Sequence, residues 1–243
     1  METPRTYEAI ILSDVHASED SACICRRFVE FLSGVAPRAR RLFILGDLFD
    51  FWFGPRQAEI APYGEILGAL AALASSAQVT VFHGNRDFYL DAGIARRFGF
   101  RLVAQSATET LCGRKALLCH GDMLCTNDVS YHRMRAVLES PAVEWLVTHS
   151  PTALARAMAR FSRRRSKLAV TGKTQRVLGI NEGALRASFA GGADVIVCGH
   201  THVESTRTVE TSAGPRTLYT LGDFGADGSY LVCDAGGFRF RRA

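Results

Sequence analysis

The sequence predicts an α/β domain whose buried strands deliver polar side chains to one shared site. Two observations predict it. Short apolar runs of four to six residues, β-branched or Leu-rich, alternate early in the chain with helical patterns; fully buried strands read this way, and their alternation with helices argues for an α/β sheet. Five of these runs also end in a polar tip, and in such sheets ligands bind where loops leave the carboxyl ends of strands.

The elements follow in order. EAIIL (8–12) leads into Ser13-Asp14-Val15-His16, and a helical pattern surrounds Cys25 to Leu32. RLFIL (41–45) leads into Gly46-Asp47-Leu48-Phe49-Asp50, followed by a helical pattern from Ile60 to Leu73. VTVF (79–82) opens onto His83-Gly84-Asn85-Arg86-Asp87, KALLC (115–119) onto His120-Gly121-Asp122, and DVIVC (194–198) onto Gly199-His200-Thr201-His202. Residues 128–188 break the pattern with helices and no clear strand, and Pro141 and Pro151 suit helix starts. Leu154, Ala157, Met158 and Phe161 fall at helical spacing, with Arg156, Arg160 and Arg163 on another side. The segment therefore reads as an amphipathic helical insertion within a single domain spanning 1–243. After the last tip, STRTVE, RTLYTLG, GSYLVC and GFRFR alternate with Gly-rich turns and suggest closing antiparallel strands.

Composition bounds the function classes. With 243 residues, 47% of them hydrophobic, the chain can bury a substantial core. The opening METPRTYEAIILSD is too weakly apolar for a secretory signal, and no stretch approaches the roughly 20 apolar residues of a membrane span. Seven cysteines without a C-x-x-C pair indicate neither a disulfide framework nor a zinc knuckle, which fits a reducing cytoplasm. The net charge of +5 is concentrated in Arg156, Arg160, Arg163, Arg164, Arg165, Lys167, Lys173 and Arg176. Such a block suits nucleic acid, an anionic membrane or a phosphorylated substrate, or is simply a solvated helix face.

The tips carry Asp14, His16, Asp47, Asn85, His120, His200 and His202. This oxygen-and-imidazole set lacks thiolate and suits Mn, Fe or Zn at a catalytic site. It is too large for one catalytic ion with open positions and fits two ions sharing a carboxylate. In Asp14-x-His16 and His200-x-His202, residues two apart in extended backbone point the same way and can reach one ion. Gly46, Gly84, Gly121 and Gly199 neighbour these residues and permit close backbone approach. A lone histidine at a strand end is as often structural as a ligand. Five of the seven histidines, however, lie in or beside the tips.

In this order DVH, GDLFD, GNRD, HGD and GHTH resemble the five signatures of calcineurin-like metallophosphoesterases. The resemblance implies a two-sheet β sandwich flanked by helices, with the helical insertion as a lid over the site. It also implies a partition of ligands, with Asp14, His16, Asp47 and His202 on one metal and Asp47, Asn85, His120 and His200 on the other. GDLFDFWFG, HGNRDFYL and HGDMLCTND, followed by a basic helical insert, are similar within that family to the UDP-2,3-diacylglucosamine pyrophosphohydrolases of lipid A synthesis. That similarity implies two Mn²⁺ ions, a nucleotide-linked diacylated sugar as substrate, and attachment to the anionic cytoplasmic face of the inner membrane. It implies catalytic roles for Asp47, Asn85, Arg86 and His120, and substrate contacts from Asn85, Arg86, Asp128, Ser166, Lys173 and His200. Nucleic acid is not an expected partner. The chain departs from the pattern at Val170, where Asn is usual, and at Gly54-Pro55-Arg56, where an acidic pair is usual.

Arg86 bears on the bond that is broken. Many phosphoesterases of this superfamily carry a histidine there to protonate an alkoxide leaving group. Arginine cannot act as a general acid near neutral pH and only neutralises charge, which suits a phosphate leaving group and hence a phosphoanhydride. The competing reading pairs Arg86 with its neighbour Asp87. Two other functions remain open: a phosphodiesterase or another nucleotide- or lipid-linked phosphatase on the same metal centre, and a non-catalytic scaffold. Arg86 argues against a phosphodiesterase, and the complete set of seven residues against a scaffold.

Overall fold

A computed structural model describes residues 6–158, 161 and 179–243. Ser166, Val170, Lys173 and the basic block beyond Arg156 lie outside them.

Two mixed sheets pack face to face. The first has the order β11-β10-β1-β2-β3-β4 and the second β5-β6-β7-β9-β8. In the first, β1 (Tyr7–Leu12), β2 (Ala39–Ile44), β3 (Gln78–Phe82) and β4 (Arg101–Val103) run parallel. β10 (Ser229–Asp234) pairs antiparallel with β1, and β11 (Gly237–Arg242) closes that edge antiparallel to β10. In the second, β6 (Arg114–Cys119), β7 (Val195–Cys198) and β9 (Gly214–Thr220) run parallel, flanked by antiparallel β5 (Ser106–Leu111) and β8 (Ser205–Thr211). The expectation that the strands after GHTH are all antiparallel is thus corrected at β9. A tight hairpin does join it to β8, but its outer edge pairs parallel with β7. No apolar run in the sequence marked β4 or β5; β5, SATETL, alternates exposed and part-buried residues at a sheet edge.

Strand periodicity explains the three cores. Ala9 and Ile11 of β1 face the second sheet, in a cluster with Phe43, Phe82, Leu118 and Val197. Ile10 and Leu12 face the other way, against Phe28, Leu32, Ile66 and Leu70 of α1 (Ala22–Gly34) and α2 (Tyr63–Ala74). With both faces covered, β1 reads as an unbroken apolar run rather than an alternating one. α3 (Ala92–Arg97) is capped by Asp91, whose carboxylate accepts the amides of Gly93 and Ile94. On the outer face of the second sheet, Leu185 and Phe189 of α6 (Glu182–Ala190) pack on Ile196 and Leu218.

Between the strands of the second sheet lie α4 (Val129–Leu138), α5 (Pro141–His149) and a helical stretch over 152–158. α5 begins at Pro141, as its preset φ favours. The expected apolar stripe divides here. Ala155 is buried and Met158 packs on the first core, whereas Leu154 and Phe161 are 51% and 62% exposed. Trp145, at 63%, and Leu146 of α5 add to this exposed apolar surface. Among the described residues, no helix is long and apolar enough to cross a membrane.

One cysteine expectation is corrected. Cys112 and Cys233 form a disulfide across 121 residues. The β5–β6 turn and β10 belong to different sheets, and their meeting is a product of the sandwich that spacing along the chain cannot reveal.

Candidate metal centre

The five tips converge. β1, β2 and β3 deliver Asp14 and His16, Asp47, and Asn85 from one sheet; β6 and β7 deliver His120, and His200 and His202, from the other. Asp14, Asp47 and His120 are almost fully buried, whereas the His202 side chain is 41% exposed. The site is therefore anchored in the core and opens outward at one edge.

The local backbone differs from the extended form expected for the Asp-x-His pairs. Among the described residues, six non-glycine residues have positive φ: Asp14, His16, Asp47, His200, His202 and Cys112. Left-handed backbone is uncommon outside glycine and clusters at functional sites, where surrounding structure holds it. The strands have already ended, and each loop curls so that its side chains turn inward. Close approach completes the crowding. A Cβ on Gly84 would lie 2.1 Å from Asp47 Oδ1, and one on Gly199 would lie 2.0 Å from Ser13 Oγ. Neither glycine can be replaced without moving a loop.

Electrostatically, the site holds two carboxylates and four imidazoles with few internal partners. Asp47 stands in the middle: Oδ2 is 3.9 Å from His16 Nδ1 and Oδ1 is 3.8 Å from His120 Nε2. Asp14 Oδ1 lies 3.7 Å from His16 Nε2 and 3.4 Å from His202 Nε2. These gaps are too long for hydrogen bonds. They match the spacing of atoms bound about 2.0–2.2 Å from a common cation. Asp14 Oδ1 and both ring nitrogens of His16 are buried without a hydrogen-bond partner. On the other side, His120 Nδ1 donates to the Leu45 carbonyl at 2.8 Å, so its Nε2 presents a lone pair. That lone pair meets Asn85 Oδ1 at 2.9 Å and His200 Nδ1 at 3.2 Å. His200 can supply at most one proton to this group, so acceptors outnumber donors. Orphaned buried atoms on Asp14 and His16, with ligand atoms within 4.8 Å of one another in Asp14, His16 and His202 and again in Asp14, Asp47 and His120, are what divalent cations would satisfy. The residues fit the two-ion expectation.

Protonation tendencies divide across the site: those of His200 and Asp14 favour the cation-binding form, and those of Asp47 and His202 oppose it. Burial, reinforced by His120, pushes the His200 pKa down to about 3, so the ring is neutral and its lone pair available. Burial pushes Asp47 up. Asp14 feels the same burial, but His120, His202 and His16 outweigh it and lower its pKa. Burial opposes charge on His202, yet its hydrogen bond to Asp223 and the nearby Asp14 raise its pKa.

Arg86 does not pair with Asp87. The Asp87 carboxylate is occupied by backbone amides, Leu48 at 2.7 Å, Phe49 at 3.3 Å and Gly84 at 2.8 Å, and thereby locks the β2 and β3 loops together. The Arg86 guanidinium instead faces Asp50 at 3.5 Å and Asp47 Oδ2 at 3.8 Å. Asp128 caps α4 by accepting the Tyr131 amide at 3.1 Å. Arg56, one of the departures, turns away from the site: it donates to the carbonyls of Thr148 and Ser150 at 2.9 and 2.6 Å, tying Pro55–Glu59 to the end of α5.

Sequence reasoning missed two features. Asp122 pairs with Arg135 and accepts from Tyr131 Oη at 3.1 Å, joining the β6 tip to α4; the Tyr131 ring lies 6.1 Å from His200. Asp223 lies 2.9 Å from His202 Nδ1. The Gly222-Asp223 pair after an apolar run was the available signal, hidden by reading that run as one of the antiparallel strands.

Comparison with known proteins gives the family. The calcineurin-like phosphoesterase family matches residues 8–204. A UDP-2,3-diacylglucosamine hydrolase of Pseudomonas putida is 34% identical over 95% of this chain and 96% of its own. One of Nitrosococcus oceani is 35% identical over 94% and 92%. Among solved structures, an archaeal phosphodiesterase is 11% identical with a TM-score of 0.46, covering 96% of this chain and 98% of its own. The chain belongs to the calcineurin-like phosphoesterase family, whose members act through divalent metal ions.

Proposed function

We propose that this chain hydrolyses the diphosphate of UDP-2,3-diacylglucosamine to UMP and 2,3-diacylglucosamine 1-phosphate, with two Mn²⁺ ions. The reading is supported by near-full-length similarity to hydrolases of that name. The observation that carries it is Arg86, whose guanidinium stands at buried Asp47 and partly exposed Asp50 rather than against its neighbour Asp87.

Asp14, His16, Asp47 and His202 would hold one ion, and Asp47, Asn85, His120 and His200 the other. When bound, such ions lower the pKa of water and stabilise charge on phosphorus. The chain's own residues do the rest. His120 is oriented by the Leu45 carbonyl and Asp47 by the Arg86 amide at 2.9 Å, so neither must reorganise during reaction. Arg86 would neutralise the phosphate oxygens, joined by Lys173, with Asn85 and His200 as further contacts. Asp128 and Ser166 take the remaining substrate contacts. The exposed apolar side chains of Trp145, Leu146, Leu154 and Phe161 suit acyl chains and the edge of an anionic membrane.

The test is hydrolysis in ¹⁸O-labelled water with Mn²⁺, offering UDP-2,3-diacylglucosamine, other UDP-sugars, a cyclic nucleotide and DNA. The diacylated substrate should be cleaved far faster than the others, with label in UMP. Label in the sugar phosphate, or faster cleavage of the cyclic nucleotide or DNA, would refute the assignment.

A further inference from the structure

Six strand ends, rather than five, face this site. β9 runs beside β7 with Thr220 level with Cys198, so Gly222-Asp223 leaves the second sheet at the same end as Gly199-His200. Asp223 lies beyond residues 8–204, the span that the family matches. One oxygen of its carboxylate accepts the Ala226 amide at 2.9 Å and caps α7 (Phe224–Asp227). The other lies 2.9 Å from His202 Nδ1.

This contact decides a tautomer. An ionised carboxylate only accepts hydrogen bonds, so in the neutral ring, the form that can bind a cation, Nδ1 carries the proton and Nε2 the lone pair. That Nε2 faces Asp14 Oδ1, the buried oxygen without a partner, at 3.4 Å. α7 is in turn latched to the Asp14 loop. Phe224 and Gly225 donate their amides to the carbonyls of Ser13 and Asp14 at 3.2 and 3.0 Å. A Cβ on Gly225 would come within 2.4 Å of the Val15 carbonyl oxygen, so the latch tolerates no side chain there. His202 is the most exposed of the four imidazoles; its ring stacks on His16 with centroids 5.2 Å apart, and the Asp223 contact is the hydrogen bond that sets which nitrogen carries the proton.

We propose that Asp223 is a positioning residue for the metal centre, holding His202 in the tautomer and direction that present Nε2 to the ion shared with Asp14 and His16. Carboxylates behind metal-binding imidazoles act in this way, and their loss typically costs 10–100-fold in metal affinity. The inference rests on the two-ion reading above.

The experiment is a Mn²⁺ titration of metal-free protein by calorimetry, without substrate, alongside Tm and ¹⁵N spectra of histidine-labelled protein. Asp223→Ala should weaken one of the two sites by about 10–100-fold and leave the other unchanged. It should also move His202 away from the Nδ1–H tautomer. Asp223→Asn keeps a helix cap and an acceptor but loses the charge, so Tm should hold while affinity at that site falls by a smaller factor. If both variants bind two ions as tightly as the parent, the inference is wrong, and Asp223 is only a cap, even if Asp223→Ala lowers Tm. If the parent itself fails to bind two ions, the metal-centre reading falls and this inference with it.

Discussion

The loops at the strand ends and the helices over 129–158 adjoin one another and differ in almost every physical respect. In the loops, carboxylates and imidazoles sit at the edge of the core, some with no exposure at all, on left-handed backbone that only a rigid frame holds. In the helices the relation is inverted. Val137, Trp145, Leu146, Leu154 and Phe161 are each at least half exposed, and α5 buries only Val147 fully. Polar groups inside and apolar groups outside both cost stability in an isolated chain. On the function proposed above, the loops would hold cations and the helices an apolar ligand or surface.

Breaking the comparison on the loop side should have the largest effect. Asp47→Ala removes the carboxylate that stands between His16 and His120. We expect loss of both ions and a fall in turnover on the order of 10³-fold, equivalent to several kcal/mol of charge stabilisation; elemental analysis and single-turnover rates measure the two. Chelation should lower the Tm of the parent protein, since each ion at 100 times its Kd contributes about 2.7 kcal/mol. The Tm of Asp47→Ala should not respond to the chelator. A parent Tm indifferent to Mn²⁺ would count against a loop region shaped for cations.

Arg86 comes next. Arg86→Ala should lose ~3–4 kcal/mol of transition-state stabilisation, with metal content unchanged. Arg86→His should not restore the rate, because a phosphate leaving group needs no proton. A histidine variant that matches the parent on the diphosphate would remove Arg86 from the role assigned to it.

Stability sharpens the contrast between core and helices. Ile11→Ala, in the cluster between the sheets, should cost about 2–5 kcal/mol in chemical denaturation. The smallest effect is expected from Leu154→Ser with Trp145→Ser, both exposed. Stability should move by less than about 0.5 kcal/mol per site, while KM for the long-chain diacylated substrate rises and kcat holds. A large loss of stability would mean that these side chains pack on the body, and the apolar surface would lose its functional reading.

Much of this was legible in the sequence because it is local. A strand covered on both faces must be an apolar run, and a polar cluster at its end is visible without knowing what the run pairs with. Asp14, His16, Asp47, Asn85, His120, His200 and His202 were found in this way, and the helices near Cys25–Leu32 and Ile60–Leu73 emerged as α1 and α2. The insertion's Leu154 stripe was visible too, but not whether it faced the core or solvent, since helical spacing is the same in either case.

By itself, the sequence determined which residues are chemically able to meet at the strand ends. Tertiary structure alone decided how they meet. Apolar periodicity reports burial but carries no sign for strand direction, so β9 reads as antiparallel in the sequence and that reading hides Asp223. Adjacent opposite charges suggest an ion pair, yet Arg86 turned to Asp47 and Asp50 because three backbone amides had already claimed Asp87. The left-handed turn at each Asp and His, the Cys112–Cys233 link between sheets and the Arg56 strap to α5 share one cause. Each depends on segments far apart in the chain being held within a few ångströms, and only the packed sandwich supplies that constraint.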